Sequence, residues 1–320
     1  MKPRLKKNLP YIIIGLLILG SIGIYVITDH IAPYAIVLPY RVNLEQQVAK
    51  GRFPNGIHPK DYQLKYTDVS ITTQDSIRLK GYFIQPKEGI SRGTIILLHG
   101  IGGCKEHYLG LSKLLTEQGM SCLIFDARAH GESDGKYCTY GYREKYDVKA
   151  IVDYLKAHHP SEPIGIWGNS MGGAIALQAM EIDKRITFGI VESTFTEMRV
   201  IVSDYQKQLF GFRSSWISNR ALNNAAKIAY FNPDSVRPIQ SVPKIDQPIL
   251  INHGNADKKI ALNYGKLLFK NLNSKEKELH IIDGAGHENL YEMGGQAYMD
   301  AILAFLNRHM PKIEESHSKE

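Results

Sequence analysis

The stretch Gly165-Ile166-Trp167-Gly168-Asn169-Ser170-Met171-Gly172-Gly173-Ala174 decides how the chain is read. A strand-like apolar run leads into it and a helix-forming segment leaves it, so G-x-S-x-G stands at a strand-to-helix turn. A turn that sharp forces Ser170 into a strained backbone conformation, and the residues two positions away on either side must be small. Gly168 and Gly172 meet that demand. The turn lifts the Ser170 hydroxyl clear of the sheet and aims a helix N-terminus at the reacting carbonyl, where negative charge is favoured. Alone, the five residues are common enough to be a structural glycine-rich turn; their surroundings give them weight.

Outward from the turn, short β-branched runs alternate with helical stretches. The runs are IRLKGYFI at 77–84, TIILLH at 94–99, SCLIFD at 121–126, PIGIWG at 163–168, TFGIVE at 187–192, PILINHG at 248–254 and LHIIDG at 279–284. Helical stretches lie at 141–158 and 171–182. The alternation predicts a mostly parallel, doubly wound α/β sheet of about eight strands with helices on both faces. Near-continuous apolar strands fit a sheet buried on both sides. Residues 196–240 break the rhythm, with several aromatics including Trp216 and no strand-like run. They are expected to form a small helical lid over the strand ends, or else a structural excursion without a role in substrate choice.

A serine hydroxyl is a weak nucleophile until an imidazole takes its proton, and the imidazole needs a carboxylate on its other nitrogen. The order along such a chain is serine, acid, histidine. Downstream of Ser170, Ile249-Leu250-Ile251-Asn252-His253-Gly254-Asn255-Ala256-Asp257 ends a strand in a glycine turn that delivers Asp257 to the carboxyl edge of the sheet. Leu279-His280-Ile281-Ile282-Asp283-Gly284-Ala285-Gly286-His287 repeats the design and delivers His287. His253 and His280, on or at strand ends, read as structural histidines. Asp283 and Glu192 are alternative orienters, and Asp126 reads as a brace for the loop from Ala127 to Ser133. The oxyanion needs two backbone N–H donors. Met171 supplies one; the glycine-rich His99-Gly100-Ile101-Gly102-Gly103 supplies the other, through Ile101 or, by register, Gly100 or Gly102.

The N-terminal region has a different character. From Tyr11 to Thr28 the chain is uncharged and long enough to cross a hydrocarbon core of roughly 30 Å. Residues 1–10 form a basic flank with Lys2, Arg4, Lys6 and Lys7, whereas Asp29 and His30 follow the apolar run. This asymmetry predicts a single-pass anchor at 11–28, N-terminus cytoplasmic, with the remainder periplasmic or otherwise extracytoplasmic. A cleaved signal and a core helix are the alternatives. Residues 29–63, with scattered proline and glycine, are expected to form a spacer or a loose wrap. The folded domain then occupies 64–310, and 311–320 is a charged tail expected to be disordered.

The formal charge is +7, but removing the four basic residues of the flank leaves 35 basic against 32 acidic side chains. That is no field for a polyanion, and no nucleic-acid motif accompanies it. Among the three cysteines no pair has metal-ligand spacing, and nothing calls for a metal or a cofactor. Cys122 lies in an apolar strand; Cys104 and Cys138, both in loops at the same edge, are candidates for a disulfide in an oxidising compartment.

Taken together, His99-Gly100, Phe125-Asp126-x-Arg128-x-His130-Gly131-x-Ser133, the Ser170 turn, His253-Gly254-x-x-Asp257 and Gly286-His287 resemble the α/β-hydrolase superfamily over residues 65–310. Asp134-Gly135, Thr139-Tyr140-Gly141 and Glu144-x-x-Asp147 look like its membrane-anchored BEM46-like and prolyl-oligopeptidase-like branch. Ala129 departs from it where a glycine is common, a change that removes no catalytic group. The resemblance implies a serine hydrolase tethered by an N-terminal segment. It leaves the substrate open, since esterases, lipases, thioesterases and peptidases share the fold.

The expected reaction is hydrolysis of a carboxylic ester of a small-molecule or lipid-like acyl substrate through acyl-Ser170, with His287 as base and Asp257 as its orienter. Amide or peptide hydrolysis by the same three groups is the second expectation. A membrane-tethered binding module without chemistry is the third.

Overall fold

The computed structural model describes residues 3–88, 91–160 and 162–310, with side chains from residue 8 onward. The basic side chains of the N-terminal flank and the tail at 311–320 lie outside the described residues.

Eight strands form one sheet. They are β1 (Lys65–Thr72), β2 (Arg78–Gln85), β3 (Thr94–Leu98), β4 (Ser121–Phe125), β5 (Ile164–Asn169), β6 (Ile186–Glu192), β7 (Ile249–Gly254) and β8 (Lys277–Ile282). Their spatial order is β1-β2-β4-β3-β5-β6-β7-β8. β1 and β2 pair antiparallel, as do β2 and β4; from β4 to β8 every pairing is parallel. The chain leaves β3 towards β4 on one side and returns to β5 on the other. This switch opens a crevice at the carboxyl ends of β3 and β5, where open α/β sheets place their ligands.

The helices are α1 (Pro3–Val26), α2 (Ala32–Val37), α3 (Leu44–Ala49), α4 (Leu109–Glu117), α5 (Glu144–His158) and α6 (Met171–Ile182). They continue with α7 (Met198–Phe210), α8 (Ser215–Ala229), α9 (Pro238–Ser241), α10 (Leu262–Asn271) and α11 (Leu290–His309). Successive side chains of a strand point to opposite faces, and β3 and β4 show this directly. Ile96, Leu98, Leu123 and Phe125 pack with Val148, Ile151, Ile175 and Leu268 from α5, α6 and α10. Ile95, Leu97, Cys122 and Ile124 pack with Leu109, Leu115, Ile302 and Phe305 from α4 and α11 on the other face. Burying both faces explains the unbroken apolar runs. A third cluster lies under α7 and α8, where Phe195, Met198 and Ile201 meet Leu222, Ala225 and Ala226.

The first helix does not stop at Thr28. α1 runs through a π turn, Ile27–Ile31, into α2, and residues Asn8–Val37 form a helix long and apolar enough to cross a membrane by length and composition. Leu16, Leu17 and Leu19 on it are exposed. Its far end is part of the domain: Val37 is buried in the third cluster, Thr28 O accepts from Asn224 Nδ2 at 3.2 Å, and Asp29 forms a two-point ion pair with Arg220 at 2.7 and 2.8 Å. The stretch expected to be a spacer or loose wrap is therefore docked from its first residues. Val37 O accepts from Cys138 N at 2.9 Å, and Ile36 O from the Tyr140 hydroxyl at 2.6 Å.

Just beyond, Arg41 donates to the carbonyls of His130 at 3.2 Å, Ser133 at 3.0 Å and Gly135 at 3.0 Å, and also to Gly131. Charged donors on carbonyls are worth more than neutral ones, but this side chain is partly solvated. Arg41→Ala is therefore expected to lower stability by about 1–2 kcal/mol. Urea unfolding of the full chain checks it, with exposed Arg52→Ala expected to leave the midpoint unchanged.

Candidate active site

Ser170 joins β5 to α6 at φ 55 and ψ −115, a left-handed conformation that a residue with a Cβ adopts only under constraint. Three hydrogen bonds supply that constraint. Ser170 N donates to Glu192 O at 2.8 Å, and Ser170 O accepts from Thr194 Oγ1 at 2.7 Å and from Ala174 N at 3.2 Å. The flanking glycines are required by contact: a Cβ on Gly168 would lie 2.2 Å from Gly172 O, and one on Gly172 would lie 2.1 Å from Leu98 O. The turn thus presses α6 onto both β5 and β3 and leaves the Ser170 side chain at the carboxyl edge.

His287 arrives on the loop between β8 and α11, and Asp257 on the loop after β7. The two loops are zipped together by Ala256 N to Ala285 O at 2.9 Å, Asn255 N to Ile282 O at 3.1 Å and Gly284 N to Asn255 Oδ1 at 2.8 Å. Gly254 allows the approach, since a Cβ there would meet Ala285 O at 2.2 Å. The result is a relay: Ser170 Oγ lies 3.0 Å from His287 Nε2, and His287 Nδ1 lies 2.8 Å from Asp257 Oδ2. Asp257 Oδ1 accepts from the backbone N–H of Lys259 at 2.8 Å and of Ile260 at 2.9 Å. Burial opposes the charge on Asp257, but the bonds from His287 and the Ile260 amide outweigh it, so its pKa lies below the ordinary carboxylate value. An ionised Asp257 accepts a hydrogen bond from the Nδ1–H and leaves the Nε2 lone pair facing the serine hydroxyl.

The loop after β3 lies against the nucleophile, where a Cβ on Gly100 would sit 3.4 Å from Ser170 Cβ. Among the described residues neither the Ile101 nor the Met171 amide donates to another backbone group. Met171 heads α6 ahead of its first internal bond, as expected for a helix N-terminus. His99 is buried, donates from Nδ1 to Gly100 O at 2.8 Å and accepts from Ala127 N at 3.0 Å on Nε2. Burial and the neighbouring His130 push it down to about 3, so it is a neutral strut of this loop.

The rival residues have other partners. His253 is buried and bonded to Ile260 O at 2.9 Å, His280 lies beside Glu278, and exposed Asp283 accepts from Asn255 Nδ2 at 2.6 Å. Glu192 is buried beneath the turn, held by the Tyr298 hydroxyl and by Asn252 Nδ2 at 3.4 Å. Asp126 accepts from Lys105 N, Lys105 Nζ and Glu132 N, each at 2.9 Å, and so ties the loop after β4 to the loop after β3. Ala129 sits at φ 66, which accounts for the usual glycine at this position. The disulfide considered between Cys104 and Cys138 does not form: all three cysteines are free and buried, Cys138 Sγ lies 3.3 Å from Met171 Sδ, and Cys104 Sγ lies 3.8 Å from His107 Nδ1.

Thr194 and Arg41 escaped the sequence reading. Thr194 leaves only the weak signal of a hydroxyl two residues past a strand end. Arg41 leaves none, because its partners are about ninety residues away. A cleft of about 850 Å³ lined by Tyr62, Lys65, Lys113 and Asn307 lies away from Ser170, and the site chemistry does not involve it.

A family model described as serine aminopeptidase, S33, matches residues 89–245, which include the Ser170 turn and end before Asp257 and His287. The esterase Pf2001 of Pyrococcus furiosus superposes with a TM-score of 0.69 at 27% identity, over 86% of this chain and 99% of that one. The chain belongs to the α/β-hydrolase superfamily. Among relatives of this hydrolase, Bem46 of Schizosaccharomyces pombe is 27% identical over 79% of this chain and 82% of its own. YqkD of Bacillus subtilis is 26% identical over 92% of this chain and 95% of its own. The likeness to YqkD covers nearly the whole hydrolase. The likeness to Bem46 places the hydrolase among BEM46-like relatives.

Proposed function

We propose that this hydrolase cleaves carboxylic esters through an acyl-Ser170 intermediate. The observation that carries the reading is the Ser170 Oγ to His287 Nε2 to Asp257 chain, at 3.0 and 2.8 Å, set on a strained turn at the sheet edge. Ser170 Oγ attacks the acyl carbon as its proton passes to His287 Nε2. The carbonyl oxygen takes the electron pair and is held by the Ile101 and Met171 amides. As the carbonyl re-forms, the carbon–oxygen bond to the alcohol breaks and His287 returns the proton to the leaving oxygen. Water then repeats the sequence on the acyl-serine and releases the acid.

The exposed apolar side chains on α7 and α8, Leu209, Phe210 and Trp216, suit an acyl or lipid-like substrate rather than a polar one. The N-terminal helix acts as an uncleaved anchor, with the basic flank cytoplasmic and the hydrolase domain outside the cytoplasm. Its exposed leucines and the docking of Thr28 and Asp29 on α8 support an anchor retained with the domain. The name of the matching family model gives amide hydrolysis a specific claim as the second reading. Rates on a ladder of p-nitrophenyl esters beside aminoacyl p-nitroanilides separate the two. Turnover of esters alone supports the proposal, and preferential cleavage of the anilides replaces it.

The orienter has its own test. Asp257→Asn is expected to lower kcat by about 10³–10⁴-fold, because an amide can hold the wrong imidazole tautomer. Asp283→Asn is expected to leave kcat unchanged. The depressed pKa also has a sign: Asp257 stays ionised until pH falls below the ordinary carboxylate range, and what its charge adds to stability is present above that range and lost beneath it. Acid unfolding midpoints of wild type and Asp257→Asn check this, with the variant expected to be the less acid-sensitive.

A further inference from the structure

Among the described residues, the tip of the α7–α8 hairpin carries large apolar side chains that stand half or more exposed. Leu209 is 76% exposed, Phe210 52%, Phe212 50% and Trp216 61%. Gly211, at φ 79, turns the chain between the two phenylalanines and leaves their ring centroids 6.4 Å apart. Four such residues in eight positions form a contiguous projection, and an exposed patch of that kind marks an interaction surface.

Its position identifies the occupant. Trp216 stacks under the Arg220 guanidinium at 5.7 Å, and Arg220 holds Asp29 at the end of the apolar run. α8 packs along residues 27–31 and α2, so its exposed end lies beside the point where the helix leaves the apolar stretch. Only eight residues separate Thr28, docked on Asn224, from Val37, buried in the domain. No flexible tether intervenes. If residues 11–28 cross a bilayer, the domain rests on that bilayer and the hairpin tip points into its interface. Aromatic rings favour this depth, and Lys207 beside the tip suits phospholipid headgroups.

We propose that the hairpin tip formed by Leu209, Phe210, Phe212 and Trp216 is a second membrane contact, inserted into the phospholipid interface beside the anchor. The proposal rests on the anchor reading above. It gives the lid a fixed seat, so that acyl substrates reach Ser170 from the bilayer side.

The chain has two tryptophans, and the other, Trp167, is buried in β5, which makes Trp216 a native reporter. The experiment compares the full chain and Trp216→Phe in phosphatidylcholine vesicles whose acyl chains are brominated near the headgroup. The wild-type emission that Trp216→Phe lacks is expected to be quenched by bromine and shielded from aqueous acrylamide. Leu17→Trp in the Trp216→Phe background reports the anchor separately. If Leu17→Trp is quenched by bromine while Trp216 is not, the anchor stands and the proposal falls, whether acrylamide finds Trp216 in water or a protein partner shields it. If neither position is quenched, the anchor reading falls and takes the proposal with it.

Discussion

Ser170→Ala is expected to lower kcat on an activated ester by about 10⁵–10⁶-fold, leaving the folded state intact. The alanine retains the Cβ and the backbone bonds to Glu192 and Ala174, so only the hydroxyl is lost. His287→Ala is expected to cost nearly as much, and the double variant no more than either alone. In the proposed mechanism the two side chains, 3.0 Å apart, perform one proton transfer, and neither has a function there without the other. Additive losses in the double variant would mean that they act separately, and would break the proposed mechanism. Any residual rate over water would come from substrate binding and the Ile101 and Met171 amides.

The second large effect falls on a residue with no chemistry. Gly172→Ala would set a Cβ 2.1 Å from Leu98 O and 2.6 Å from Leu98 C, both backbone atoms of β3 that have no room to give. Relief requires α6 to move off the sheet, and Ser170 moves with it. A shift of about 1 Å is enough to cost about 10²-fold in rate, and the strain is expected to lower stability by about 2–4 kcal/mol. Gly110→Ala in α4 is the control. Its Cβ would find only Tyr62 Cε1 at 3.9 Å, and a helical glycine replaced by alanine gains about 0.5–1 kcal/mol. Thermal unfolding and ester turnover of both variants separate a collision from a general intolerance of substitution.

The two glycine positions also indicate why so much of the architecture could be read from the chain. β3, β4, β5, β6 and β7 are buried on both faces, so their sequences are short unbroken apolar runs and stand out. β1 is different. Lys65–Thr72 alternates exposed and buried positions at the sheet edge, and its KYTDVSIT reads as an ordinary polar stretch; the sequence reading passed over it. The loops bearing Asp257 and His287 follow β7 and β8 through small residues, and the geometry brings both side chains to Ser170.

Contacts that join distant segments left little trace. The helix after Thr28 looked like a spacer because its prolines and charges show no period. In the fold Pro33 and Val37 are buried, Val37 in the cluster of α7 and α8, and the charge of Asp29 is taken up by Arg220, nearly two hundred residues on. Arg41 reaches four carbonyls of one loop through side-chain geometry alone. The cysteine pairing failed for a related reason. Sharing an edge of the sheet sets no distance, and Cys138 faces Met171 while Cys104 faces His107.

The most direct test of the central claim is to locate the covalent intermediate. The full chain is treated with a fluorophosphonate, digested, and the modified residue identified by mass spectrometry, beside an acid-quenched reaction with a p-nitrophenyl ester. The proposed mechanism predicts one phosphonyl adduct and one acyl adduct, both on the peptide that carries Ser170 and both absent from His287→Ala. An adduct on another residue, or ester turnover that persists in Ser170→Ala at the wild-type rate, would contradict it.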